Sequence, residues 1–214
     1  MDTTSPPLYH ITLLRHGESV GNADGYHQGQ FDFELTETGR LQVQALANHW
    51  LAKQISFDAI IASPLARARQ TAEILTESLS VPLEFDLLWM ELNNGVLAGL
   101  KHEEATEKYP RPDFRNPYTP IGLTGESEWE LYLRAGKAVQ SLLYRPPGRY
   151  LVVSHGGILN MALRAILGIT PQANWQGASF RFLNTTYAIV EYDPLRHRWE
   201  FDQFNNQVHW SADY

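Results

Sequence analysis

Apolar positions in this chain fall into short runs separated by longer amphipathic stretches. The runs "LYHITLLR" (8–15), "FDAIIAS" (57–63) and "RYLVVS" (149–154) are rich in leucine, isoleucine and valine and have the length of buried parallel strands. "VPLEFD" (81–86) predicts a further strand. "SFRFLNTTYAIVEYD" and "RHRWEFDQFN" predict two more, separated by a turn. Between them lie stretches with helical spacing. Residues 35–54 open on Thr36 as an N-cap and repeat Leu41, Ala45, Leu46 and Trp50. Residues 63–79 predict a helix with Ser63 as N-cap and Pro64 in its first turn. A long helix over 125–144 stops at "RPPG", and another follows "VVSHGG". Strands alternating with helices predict an α/β fold of three layers, α/β/α, around a mainly parallel central sheet.

One region breaks the alternation. "KYPRPDFRNPYTPIGLTG" (108–125) holds four prolines, two arginines and three aromatics. It reads as part of a loop-rich cap insertion at about 92–125 in a single catalytic domain of 214 residues, and as the best candidate for a lid.

Composition narrows the chemistry. A chain of 214 residues needs no staples. With no cysteine, disulfides, thiolate metal sites and thiol nucleophiles are all excluded. A net charge of −7 argues against a nucleic-acid or acidic-membrane surface, so any anion site must be a local concentration of cations. The segment "MDTTSPPLYH" lacks the features of a signal peptide, and no apolar stretch approaches the ~20 residues that span a bilayer, so a cytoplasmic protein is expected. Histidines 10, 27, 49, 102, 197 and 209 show no spacing typical of zinc ligands, and His49 and His102 read as exposed helix positions. The tail aromatics Trp199, Phe201, Phe204 and Trp210 read as core or interface, which leaves a homo-oligomer open.

Three predicted strands end in functional polar residues: "RHGE" (15–18), "SPLARAR" (63–69) and "SHGG" (154–157). In open α/β sheets, ligands bind beyond the carboxyl ends of strands. If these strands are neighbours, Arg15, His16, Arg67 and His155 converge, and two arginines with two histidines suit a tetrahedral dianion. Neutral imidazole attacks phosphorus without a separate base, and guanidinium groups spread positive charge over a phosphoryl-transfer transition state. Gly17 is read as allowing a sharp turn. Gly156 and Gly157 are read as letting helix-start amides approach the anion. Taken alone, "RHG" occurs by chance in many chains and a strand-end histidine is most often structural, "SPLARAR" suits a helix N-terminus with exposed arginines, and "SHGG" suits a capping turn; their joint occurrence after three strands points to function.

These residues resemble the histidine phosphatase superfamily, with its phosphoglycerate-mutase-like fold. "LLRHGESVGN", "HQGQFDFELTETGRLQVQALA", "ASPLARARQTAEIL", "ELNNGVLAGL", "TGESEWEL", "VVSHGGIL" and "NNQVHW" fall in family order over most of the chain. The resemblance implies that His16 is a nucleophile passing through a phosphohistidine, and that Arg15, Arg67 and His155 bind the phosphoryl group. It implies a polar contact from Asn22, substrate-side positions at Gln28 and Gly29, and a proton donor at Glu91. No metal or organic cofactor is implied, and the implied partner is a small phosphorylated metabolite rather than nucleic acid or membrane.

Glu91 also has a case of its own. It follows a predicted strand and precedes "NNG", a turn signal that would expose it at the edge of the sheet. A poor alkoxide leaving group needs a positioned acid. Of the rival carboxylates, Glu18 is expected to orient the arginines and Glu126 to cap or anchor the following helix. "FELT" (33–36) and "VLAG" (96–99) depart from common family patterns on the substrate side. A cofactor-dependent phosphoglycerate mutase is the alternative enzyme. It would need extra cations, for which the insertion region offers Lys101, Lys108, Arg111 and Arg115, but "LNNG" stands after Glu91 where a mutase-like "ERHYG" is absent. A non-catalytic phospho-ligand binding module is the third reading. Arg111 or Arg115 is available for a second anionic group.

Overall fold

Strand pairing follows the hydrophobic runs. The computed structural model describes residues 7–210. In chain order the elements are β1 (Tyr9–Arg15), α1 (Val20–Ala23), α2 (Glu37–Ala52), β2 (Ala59–Ala62), α3 (Ala66–Leu79), β3 (Leu83–Phe85), α4 (His102–Lys108), α5 (Glu128–Leu143), β4 (Arg149–Ser154), α6 (Gly156–Leu167), β5 (Tyr187–Asp193) and β6 (Arg198–Asn206). They build one six-stranded sheet in the order β3-β2-β4-β1-β5-β6. Strands β3, β2, β4 and β1 are parallel, β5 runs antiparallel to β1, and β6 pairs antiparallel with β5.

Alternation within the strands explains the layers. Ile11, Leu13, Ile61 and Val152 join a core with Leu131 and Ala135 of α5 and Leu159 and Ala162 of α6. Leu14, Ile60, Leu151 and Val153 point the other way, onto Val43, Leu46 and Trp50 of α2 and Ala68 and Leu75 of α3. Both faces are therefore covered, which is why these strands read as continuous apolar runs.

Cap chemistry sets several helix starts. Thr36 accepts from the Gly39 amide at 2.9 Å, as expected. Ser127 and Glu130 form a reciprocal capping box at the start of α5. The expected N-cap at Ser63 is not found. Leu65 holds that position, α3 begins at Ala66, and the Ala66 amide donates to Asp32 Oδ1 at 2.5 Å. An aspartate from a distant loop does the work at Ala66, while Ser63 Oγ accepts from the Leu65 amide at 3.3 Å and also reaches a second partner described below. The stretch "SFRFLN" also lies outside a strand, since β5 starts only at Tyr187. Between β3 and α5, residues 92–127 carry a short 3-10 turn (Gly95–Leu97), α4 and otherwise irregular backbone.

Register positions the site. Arg15 pairs with Ser154, and Leu14 and Ala62 both pair with Val153. The next residues, His16, His155 and Ser63, therefore stand side by side at the carboxyl ends of three adjacent strands.

Candidate active site

His16 is buried, and its Nδ1 lies 2.6 Å from the carbonyl oxygen of Gly17. A carbonyl only accepts, so Nδ1 carries the proton and Nε2 keeps its lone pair. Burial and the nearby Arg67 and Arg15 charges hold the His16 pKa well below its ordinary 6.5. At neutral pH the ring is an uncharged, single-tautomer imidazole. The loop below it is tied down: the Thr185 amide donates to the carbonyls of Arg15 and His16, and Asn184 Nδ2 donates to the His16 carbonyl at 3.0 Å.

Gly17 is required for proximity rather than for a turn. A Cβ there would stand 2.7 Å from the Gly39 carbonyl oxygen and 3.0 Å from Val43, so the loop passes too close to α2 for any side chain.

His155 lies fully buried, its ring centroid 5.1 Å from that of His16. Its Nε2 is 2.8 Å from Ser63 Oγ, and its Nδ1 has no partner within the protein. Burial, followed by Arg67, His16, Arg15 and Arg134, lowers its pKa well below 6.5. Ser63, expected to be a helix cap, thus orients a site histidine.

The two arginines are fixed by backbone carbonyls. Arg15 Nη1 donates to Phe182 at 2.8 Å, and Arg67 donates from Nη1 to Phe31 at 3.0 Å and from Nη2 to Gly29 at 2.7 Å. In both, Nε is buried without an acceptor. Desolvation lowers both pKa values, that of Arg67 to about 10, and Glu91 opposes the shift in each case. Both remain cationic at neutral pH. Unpartnered buried donors with positive charge are what an oxyanion site requires.

Glu91 sits elsewhere than expected. After β3, at one edge of the sheet, the chain turns inward through the fully buried Trp89, whose carbonyl accepts from Ser154 Oγ at 2.6 Å. Glu91 therefore arrives over the start of α6, not at the sheet edge. Its Oε2 accepts from the Gly157 amide at 3.0 Å, and its Oε1 accepts from Ile158 at 3.1 Å and Leu92 at 2.8 Å. The Gly157 amide, one of those expected to meet the ligand, is thus occupied by this carboxylate. A Cβ on Gly157 would stand 2.5 Å from Glu91 Oε1, which explains the glycine.

Glu126 and Arg134 hold this segment. They form a two-pronged ion pair, both bonds 2.7 Å, and Arg134 also donates to the carbonyls of Leu88, Met90 and Glu91. Glu126 Oε2 further accepts from the Asn93 amide. Glu126, expected to cap or anchor the following helix, does not cap it, since Ser127 and Glu130 do; through Arg134 it ties that helix to the Glu91 loop. Glu18 does not orient the arginines: its carboxylate accepts from Thr36 Oγ1 at 2.7 Å, beside the start of α2.

The site opens into a cleft of about 260 Å³ whose walls include Arg15, His16, Gln28, Gly29, Arg67 and Glu91. Gln28 and Gly29 thus line this cleft, with Gly29 at φ +47. Asn22 stands one layer back. It completes a capping box with Ser19 on α1, and its Oδ1 accepts from Asn184. Sequence reasoning missed Ser63, Asn184, Arg134 and the pair His27–His102, whose rings meet edge-on at 4.5 Å on the cleft wall. Only His27, adjacent to Gln28, carried a local signal. His102 is exposed at the start of α4 as expected, whereas His49 is half-buried, its ring 6.5 Å from that of His209. Among the described residues no group of three or more histidine, aspartate or glutamate side chains is arranged to hold a metal ion, and no helix is long and apolar enough to cross a membrane.

The sequence profile of the histidine phosphatase superfamily (branch 1) matches residues 11–207. The chain belongs to this superfamily. Among its relatives, an uncharacterized phosphatase, PhoE, of Bacillus subtilis (strain 168) is 31% identical over 202 residues, which cover 94% of this chain and 97% of the relative. A protein named "Probable phosphoglycerate mutase GpmB" from Shigella boydii serotype 18 is 34% identical over 189 residues, 86% of each chain. Among solved structures, a mycobacterial glucosyl-3-phosphoglycerate phosphatase complexed with VO3 superimposes with a TM-score of 0.76 at 30% identity, covering 92% of this chain and 98% of that one. YhfR of Bacillus stearothermophilus gives 0.77 at 26% identity, covering 94% and 98%. The fold is thus the phosphoglycerate-mutase-like one, and superfamily membership with these relatives supports an enzyme of phosphatase- or mutase-like catalysis.

Proposed function

We propose that this histidine phosphatase is a metal-independent phosphomonoesterase that hydrolyses small phosphorylated metabolites through a phosphohistidine on His16. The observation that carries this reading is the His16 tautomer: Nδ1 is committed to Gly17, so the lone pair on Nε2 is available beside Arg15 and Arg67. In the first step Nε2 bonds to phosphorus, the ester P–O bond breaks, and the leaving oxygen takes a proton from Glu91. Oε2 of Glu91 accepts a single amide bond, which leaves it the oxygen able to carry that proton. In the second step water attacks phosphorus, Glu91 takes back a proton, the P–N bond breaks and phosphate leaves. Arg15, Arg67 and His155 bind the phosphoryl oxygens as charge shifts among them. Asn22 acts behind them by bracing the Asn184 link to His16. Gln28 and Gly29 face the leaving group.

The test is aryl phosphate hydrolysis in excess EDTA, wild type beside His16→Ala. Chelator-resistant activity lost in the variant is the expected result. Full activity in His16→Ala overturns the proposal. Inactivity of the wild type toward every ester, with interconversion of phosphoglycerates, transfers the assignment to a mutase.

A further inference from the structure

The catalytic cleft does not end at Glu91. His27, Leu92 and Asn94 line both it and a second, larger cavity of about 590 Å³, formed by α4, the irregular segment after it, and the turn around Trp175. That volume lies in the roughly 300–1,000 Å³ range of small-molecule sites. Its walls are largely apolar and aromatic, with Leu97, Tyr109, Phe114, Ile121 and Trp175 among them.

The charge on these walls is one-sided. The chain carries 24 acidic residues against 17 lysines and arginines, yet no aspartate or glutamate lines this cavity, whereas Arg111 and Arg115 both do. Among the described residues neither arginine makes an ion pair. Arg115 lies over the Trp175 ring at 5.8 Å, and its backbone is locked to Asn174: the Arg115 amide donates to Asn174 Oδ1 at 2.6 Å, and the Asn174 amide donates to the Arg115 carbonyl at 2.9 Å. Burial lowers the pKa of both Arg115 and His27, and the Arg111 charge lowers each further; Glu128 opposes the shift of Arg115 but is itself paired with Arg164 at 3.0 Å. Positive charge therefore continues from Arg15 and Arg67, past the His27–His102 pair, to Arg111 and Arg115. Two like charges without an ion-paired acid of their own favour an anion that joins them.

We propose that the cavity is the leaving-group site, and that it selects phosphomonoesters whose leaving group has an apolar or aromatic body ending in a second anionic group, a carboxylate or a second phosphate, bound by Arg111 and Arg115. This rests on the reading of the His16 cleft as the phosphate site. Short, uncharged leaving groups fill neither the apolar walls nor the arginine pair.

Binding of non-hydrolysable phosphonates, measured by calorimetry, tests this without requiring turnover. The probes are benzyl-, naphthylmethyl- and biphenylmethyl-phosphonate, each with and without a terminal carboxylate. Wild type is expected to prefer the carboxylated member of at least one pair by about tenfold or more. Arg111→Ala/Arg115→Ala should erase that preference while changing affinity for the uncharged parent by no more than about twofold. Absence of a preference at every length, or its survival in the double variant, overturns the proposal. Hydrolysis of nitrophenyl phosphate by wild type and His16→Ala is run in parallel. Arginine-dependent preference without any hydrolysis would sink the phosphatase reading and leave this one standing. Hydrolysis without preference would do the reverse.

Discussion

Oε2 of Glu91 lies 3.0 Å from the amide nitrogen of Gly157, so a carboxylate brought from beyond β3 closes the start of the helix that follows β4. This contact joins two segments 66 residues apart and brings the candidate proton donor to the same strand ends as His16. Glu91→Gln is expected to slow alkyl phosphate turnover by about 10²-fold or more while sparing a nitrophenyl ester, whose leaving group needs no proton. Gly157→Ala should reproduce that split, because its Cβ would meet Glu91 Oε1 at 2.5 Å. Equal losses on both esters in both variants would remove the acid role.

Arg134 is a positioning residue for Glu91 through three backbone carbonyls. Arg134→Ala is expected to lower kcat for alkyl phosphates with KM little changed, and again to spare nitrophenyl phosphate. Arg134→Lys, which keeps charge but not the fork, should recover only part of the loss. A purely structural residue would depress both esters alike.

The depressed pKa of His16 carries a pH prediction. Its ring stays neutral as pH falls through 6.5, so an NMR titration of the assigned His16 ring should show no protonation at that pH. Protonation at an ordinary histidine pKa would contradict the buried geometry. Stability follows the same sign. His16 and His155 are neutral in the fold and titrate near 6.5 when unfolded, so between the two values the unfolded chain binds more protons. Stability is therefore fully present above pH 6.5 and declines below it, by at most about 1.4 kcal/mol per pH unit for each group. Urea midpoints at pH 7 and pH 5 measure this, and His155→Gln should flatten the difference.

Arg164 of α6 and Glu128 of α5 form a buried ion pair at 3.0 Å, with side-chain exposures of 4% and 2%. Arg164→Met strands a buried carboxylate and is expected to cost about 3–5 kcal/mol in chemical denaturation. Adding Glu128→Gln should return much of that loss. A double variant no better than the single would mean that packing, not charge, dominates.

Much of this protein was legible in the order of its residues. Local pattern determined the strands ending in Arg15, Ala62 and Ser154, because both faces of each are buried and their apolar runs are unbroken. It determined the helix cap at Thr36, whose partner lies three residues away. It also brought forward Arg15, His16, Arg67 and His155, since each follows or begins an element whose type is visible locally. Tertiary structure decided what depends on distant partners. Ser63 reads as a cap until Asp32, 34 residues before Ala66 in sequence, is seen to serve that amide, which leaves Ser63 for His155. Glu18 reads as a partner of arginines until Thr36 takes its carboxylate. Glu91 reads as an edge residue until the chain turns inward over α6. Arg134 carries no local signal, because besides Glu126, eight residues away, its partners are backbone carbonyls, and carbonyls are the same in every residue. Sequence periodicity records which side of an element faces the core; where a side chain's hydrogen bonds end is set by the packing of elements far apart in the chain.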